Sequence, residues 1–241
     1  MNNRSVDVIV SWPKSMDYPL WRDFILAHQQ LFNKVIIVFT ETHAGVDYSD
    51  FIMKSLPGVN FLFLHAEPVK NTEDWRDNAV NQALRHSDAD WVWFTEQDLL
   101  ILSPSFWPII SVGMASYDVI GYKEGSRFHP SNIFVARHMI NKTRMDFGIV
   151  PNKADHFWKF YFDLKANGAR IKNLKYKADQ NTDTFYHMNG LSHNLSLIQR
   201  GEEPVYKVDE FKTYLAMTLH VEPLDDRYKS MVTDYFGVDL S

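Results

Sequence analysis

The stretch Asp90-Trp-Val-Trp-Phe-Thr-Glu-Gln-Asp98 decides how the rest of the chain is read. Trp91-Val-Trp-Phe94 is an unbroken apolar run, the pattern of a strand buried on both faces, as in a parallel sheet. The run stops on Thr95-Glu96-Gln97-Asp98, and the chain turns apolar again over residues 99–102. Open α/β sheets bind ligands at the carboxyl ends of their strands, so acids placed there stand at a functional position. Glu96 and Asp98 have no Lys or Arg between them and repel each other, unless a cation sits between them and a ligand. The plainer reading is that the two acids open a surface loop. On this stretch alone both readings stand.

Upstream, residues 6–10, 34–40 and 60–65 are further apolar, β-branched runs that read as strands. Helices are expected between them. One runs over about residues 20–31, capped by Asp17 with Pro19 in its first turn. A second covers 48–56, and a third covers about 72–85, opened by Asn71 and Asp74 in capping-box spacing. Strand and helix alternate in this way through the first hundred residues, which predicts an α/β fold with a mostly parallel sheet flanked by helices. No G-x-G-x-x-G follows the first strand and no P-loop is present, so neither glycine loop holds a phosphate here; a metal at the acidic strand end would neutralise one instead.

Downstream the pattern changes. Residues 112–115 are ambiguous, and 117–122 and 131–136 read as strands separated by a polar loop over 123–130. A short helix is expected over 137–142. A longer one over 155–167 has Phe157, Phe160, Tyr161 and Leu164 on one stripe and Gly168 as its stop. Residues 169–174 read as an edge strand, and the His-rich segment Tyr186-His-Met-Asn-Gly-Leu-Ser-His193 follows a polar stretch. No repeat, linker or low-complexity run interrupts the 241 residues, so a single domain is expected.

Composition sets outer bounds. A 45% hydrophobic content is that of a globular chain, and no segment reaches the roughly 18–20 apolar residues of a membrane span. There is no cysteine, which excludes disulfides and thiolate metal sites, and the first residues carry no signal-peptide pattern; a cytoplasmic location is expected. Asn141-Lys-Thr143 and Asn194-Leu-Ser196 fit the glycosylation pattern but mean little without a secretion signal. A net charge of -5 argues against a broad nucleic-acid face. Seven Trp, eleven Tyr and seventeen Phe suit a large core and also a cleft that stacks on bases or sugars.

Five motifs then recur in a familiar order: Asn81-Gln-Ala-Leu84 nine residues before Asp90, Glu96-Gln97-Asp98, Ser131-Asn-Ile-Phe-Val-Ala-Arg137, Asp155-His-Phe157 with Asn167-Gly-Ala-Arg-Ile171, and His187. In this order, over about residues 5–195, the chain resembles GT-A-fold glycosyltransferases, which transfer a sugar from a nucleotide-sugar at a DxD-type metal site. The resemblance implies a GT-A-type sheet with a small mixed acceptor-side sheet, a donor-binding half over about 1–102, an acceptor half over about 103–195, and an extension over 196–241.

It also implies roles. Asp98 would ligate Mn²⁺ or Mg²⁺ bridging two phosphates, and Glu96, a departure from the usual Asp, would reach ribose or a metal-bound water. Asp155 would be the general base of an inverting transfer, since a carboxylate there can take the acceptor hydroxyl's proton; a helix N-cap is its other reading. His187, in competition with His193, would complete the metal shell or serve structurally. Ser11, Trp12 and Pro13 with Thr40 and Glu41 would face the nucleoside, a UDP donor being favoured over a GDP donor. The family often carries Arg before the Asn matched by Asn81, whereas this chain has Val80, so Arg76 and Asp77 would take over contacts to base or phosphate. Lys123, Arg127 and His129 would balance phosphate charge or form a solvated loop. The expected acceptor is a glycan, with a protein side chain or a hydroxymethylated DNA base less favoured. A nucleotidyltransferase, whose sheet also ends in metal-holding acids, and a non-catalytic nucleotide- or carbohydrate-binding module are the alternatives.

Overall fold

The structure is a computed structural model that describes residues 4–12, 21–39, 49–66, 75–96, 98–124, 127–144, 146–147, 157–174, 185–187, 194–195, 197–198, 200–218, 230 and 233. In chain order it has β1 (Val6–Trp12), α1 (Arg22–Ala27), β2 (Phe32–Phe39), α2 (Ser49–Ser55), β3 (Phe61–His65), α3 (Trp75–Leu84), β4 (Trp91–Thr95) and β5 (Leu99–Ile101). There follow α4 (Phe106–Met114), β6 (Val119–Glu124), β7 (Arg127–Ala136), α5 (Arg137–Ile140), α6 (Trp158–Ala166), β8 (Ile171–Leu174), β9 (Phe185–His187) and a helix α7 over Val208–Thr218.

Seven strands form one sheet in the order β3-β2-β1-β4-β7-β6-β8, and β5 pairs with β9 in a separate ribbon. Only β7 runs against the others: it is antiparallel to both β4 and β6, while the other neighbours are parallel. The expected mixed α/β sheet flanked by helices is what the chain builds. Alternation along the strands fills a core on each face. Val8, Val10 and Trp93 enter one cluster with Trp21, Phe24, Phe106 and Phe134. Ile9, Val92 and Phe94 enter the other with Ala79, Val80, Phe157 and Phe160. This is why β1 and β4 read as continuous apolar runs: neither face is wet.

Three elements differ from expectation. The first helix shrinks to α1, because His28 (φ -129°, ψ 22°) leaves the helical region and a 3₁₀ turn over Gln29–Leu31 follows. Residues 112–115 belong to the end of α4, an unexpected helix with Pro108 in its first turn, where a missing N–H costs nothing. The polar loop expected over 123–130 is largely strand. Pairing runs Gly121↔Ile133 and then Lys123↔Phe128, so β7 carries extra residues as a bulge around Pro130, where no ladder N–H is needed.

The amino ends of the central strands are tied by Asp7, a fully buried carboxylate that accepts from Asn33 Nδ2 (3.0 Å), Ser87 Oγ (2.6 Å), Asp88 N (3.2 Å) and Ala89 N (3.4 Å). Asn194 is another internal staple: its amide donates to Tyr206 O (2.6 Å) and accepts from Val205 N and Tyr206 N (both 3.1 Å), at 1% exposure. A glycan on Asn194 is incompatible with these bonds, which leaves Asn141, which is exposed, as the other site of that pattern. Among the described residues no helix is long and apolar enough to cross a membrane.

Candidate functional site

The chain winds from β1 outward to β2 and β3, then crosses back to place β4 on the other side of β1. The carboxyl ends of β1 and β4 are therefore the point where the sheet order reverses, and a crevice opens there in sheets of this kind. Register runs to Val10↔Thr95, so Ser11 and Glu96 follow side by side. Both are buried, Ser11 at 7% and Glu96 at 8%, and with Val80 and Phe157 they line one small cavity. Asp98 is buried as well, at 6%, so the two acids do not open a solvated loop. One oxygen of each carboxylate, Glu96 Oε1 and Asp98 Oδ1, lies buried with no hydrogen-bond donor against it among the described residues, although both side chains have other partners.

The turn carrying these acids is closed on the carbonyl of Glu96, which accepts from Trp21 Nε1 (3.0 Å), Leu99 N (3.3 Å) and Thr95 Oγ1 (3.3 Å). Beyond it, β5 pairs with β9 in the register Leu99↔His187, which brings the backbone of His187 next to that of Asp98. The side chain of His187 lies outside the described residues.

The bulge of β7 reaches the same end of the sheet. Asn132 pairs with Thr95 and is fully buried; its Oδ1 accepts from Trp93 Nε1 at 3.0 Å. An indole N–H only donates, so this contact fixes the amide's orientation and leaves Nδ2 as a buried donor with no hydrogen-bond partner among the described residues. Sequence reasoning missed Asn132 and Trp21. It placed His129 in the polar loop, yet that ring is 7% exposed and its Nδ1 takes the N–H of Ser131 at 3.2 Å. The same nitrogen lies 2.7 Å from Ser131 Oγ, so the ring is held by its own strand.

Asp155 itself falls outside the described residues, but α6 opens at Phe157, which holds the N-cap position without a side-chain cap bond. Phe157 is a non-glycine residue at φ 69°, 2% exposed, packed on Phe94 with ring centroids 5.7 Å apart. A buried aromatic held in the left-handed region is a local strain of the kind found at functional sites. It lines the cavity of Glu96 and stands two positions after Asp155 in the sequence. Asn81 lies on α3, half buried, directly after Val80. Arg76 and Asp77 stand near the start of α3 and Trp12 ends β1, with side chains outside the described residues; Thr40, Glu41 and His193 lie outside them altogether.

A larger concavity lies elsewhere among the described residues. About 590 Å³ opens at the amino end of β4, lined among others by Arg4, Asp90, Asp118, Arg137, His138 and Arg170. Its arginines are spent on protein oxygens: Arg4 on Met114 O, Arg137 Nε on Ala89 O (3.1 Å), and Arg170 on both oxygens of Asp118 (3.0 and 2.9 Å). It is a brace rather than the chemical centre. The Arg170 fork holds the Asp118 carboxyl down to about 2, against burial, which raises it, and with help from His138 at 3.3 Å. A lowered folded-state value means that this contribution to stability is present above about pH 4 and is lost as pH falls towards 2. The urea midpoint of Asp118→Asn is therefore expected below that of the wild type at pH 6, with the gap narrowing as both are titrated from pH 4 downward.

No protein-family model matches the chain, and no curated protein matches it in sequence. Solved structures do match in shape. The mannosyltransferase PcManGT from Pyrobaculum calidifontis, in complex with GDP-Man and Mn²⁺, superposes with a TM-score of 0.54 at 13% identity, over 95% of this chain and 68% of that one. TarS residues 1–349 from S. aureus, in complex with UDP-GlcNAc, gives 0.53 at 16% identity, over 96% and 71%. At such identities the likeness is one of architecture: this chain has the mixed α/β, GT-A-type fold of those glycosyltransferases.

Proposed function

We propose that the chain is a metal-dependent glycosyltransferase that moves a sugar from a nucleotide-sugar to an acceptor hydroxyl, with inversion. The observation that carries this reading is the placement of two buried carboxylates, Glu96 and Asp98, at the carboxyl end of β4 beside the end of β1, where the sheet order reverses. The fold of the two transferase structures supports it.

The donor set suits a hard cation. Both groups are carboxylates, and among the described residues no three His, Cys, Asp or Glu side chains cluster into a ready-made cage. Mn²⁺ and Mg²⁺ bind in this style, through one or two carboxylates with the remaining positions given to phosphate oxygens and water. Asp98 is the expected ligand, with His187, one register position away across the β5–β9 ribbon, as its partner. Glu96 faces the nucleoside side together with Ser11, and Trp12, Thr40, Glu41, Arg76, Asp77 and Asn81 complete the donor pocket. A cation held there would supply positive charge against the leaving diphosphate. Asp155 takes the acceptor hydroxyl's proton as that oxygen attacks the anomeric carbon. A UDP-sugar is the favoured donor and a glycan the favoured acceptor.

The test is a radiolabelled UDP-sugar panel with Mn²⁺, offered to glycan, protein and hydroxymethylated-DNA acceptors. Label retained on a glycan is the expected result. Pyrophosphate formed instead from a nucleoside triphosphate and a sugar phosphate would assign the acids to a nucleotidyltransferase.

A further inference from the structure

Trp21 is not among the positions that carry the resemblance to glycosyltransferases, and its ring is fully buried. A buried indole needs an acceptor for its N–H, so its having one is unremarked. The choice of acceptor is informative. Trp21 Nε1 donates across 75 residues of sequence to the backbone carbonyl of Glu96, in a buried bond of 3.0 Å. The other two donors to that carbonyl, Leu99 N and Thr95 Oγ1, are local to the turn and longer, at 3.3 Å each. The indole is thus the tie from outside the turn in this set of three, and the shortest of them. The turn it ties carries Glu96 and Asp98, while the ring packs in one apolar cluster with Leu99, the residue that follows Asp98.

We infer that Trp21 is a positioning residue: its indole N–H fixes the Glu96–Asp98 turn so that the two carboxylates are held ready for a divalent cation and its nucleotide. The inference rests on the function proposed above. Core packing alone would be met by a phenyl ring; the hydrogen bond would not. An ionic site gains affinity when its ligands are held before binding, and loss of an outer partner that orients a ligand typically weakens metal affinity by about 10–100-fold. Trp21 also follows directly on residues 13–20, which lead out of β1, so it joins the start of α1 to the acidic end of β4.

The experiment measures Mn²⁺ binding by electron paramagnetic resonance in the presence of UDP and, in parallel, of GDP, for the wild type, Trp21→Phe, Trp91→Phe and Asp98→Ala. Trp91 is a buried indole at the opposite end of β4 and controls for loss of core volume. Trp21→Phe is expected to weaken Mn²⁺ binding about tenfold, with a change in melting temperature no greater than that of Trp91→Phe. Wild-type affinity in Trp21→Phe, alongside lost affinity in Asp98→Ala, overturns the role of Trp21 and leaves the proposed function standing. No Mn²⁺ binding by the wild type with either nucleotide, or undiminished binding by Asp98→Ala, overturns the proposed function itself. Should Trp21→Phe fail to fold, ¹⁵N-indole spectra of the wild type decide: diamagnetic Mg²⁺ with nucleotide must shift the Trp21 Nε1–H signal and leave that of Trp91 in place, and an unmoved Trp21 signal overturns the inference.

Discussion

Asp98→Ala is expected to abolish metal-dependent donor turnover without loss of the fold. A cation acting on a departing diphosphate contributes several kcal/mol to the transition state. Each roughly 1.4 kcal/mol is a factor of ten in rate, so loss of its main ligand costs on the order of 10³-fold. The fold is expected to persist, with the far-UV circular dichroism of Asp98→Ala in EDTA matching that of the wild type. An unfolded variant would instead make Asp98 a structural group, and the role assigned to it would fail.

Asp155→Asn carries the second large effect. A positioned general base contributes typically about 10²–10⁴-fold, and the amide keeps the shape while losing the proton acceptor. Transfer is expected to fall by that factor with donor binding retained, measured as initial rates beside nucleotide-sugar titrations. The start of α6 sharpens this expectation. The N-cap position of that helix falls at Phe157, two residues after the one substituted. Normal transfer by the variant would place the base elsewhere or make the reaction retaining.

Much of the first hundred residues was legible in the chain itself. β1, β2 and β4 are buried on both faces, so their apolar runs need no partner to be recognised. The acids at the end of β4 were legible because nothing in the segment balances them. What escaped depends on tertiary context. α4 is apolar nearly all round, which erases the helical period; Ser103-Pro-Ser105 and Pro108 in the first turn were the signal available. The first residues of β7, 127–130, escaped because Pro130 argues against a strand, and only the bulge makes room for it. Asn132 and Trp21 could not be found from spacing. One owes its place to a register with β4, the other to a bond spanning 75 residues. Asn132 is where the structure adds most, as a buried amide whose orientation Trp93 fixes and whose Nδ2 points away from that indole.

The central claim is that the acidic end of β4 works on a nucleotide-sugar through a divalent cation. Its most direct measurement is the release of nucleoside diphosphate from UDP-glucose, UDP-GlcNAc and GDP-mannose, with Mn²⁺ and with EDTA, by the wild type and by Asp98→Ala. Release by the wild type that requires Mn²⁺ and vanishes in Asp98→Ala is the predicted result. Release that ignores EDTA, or that Asp98→Ala sustains at the wild-type rate, would contradict it.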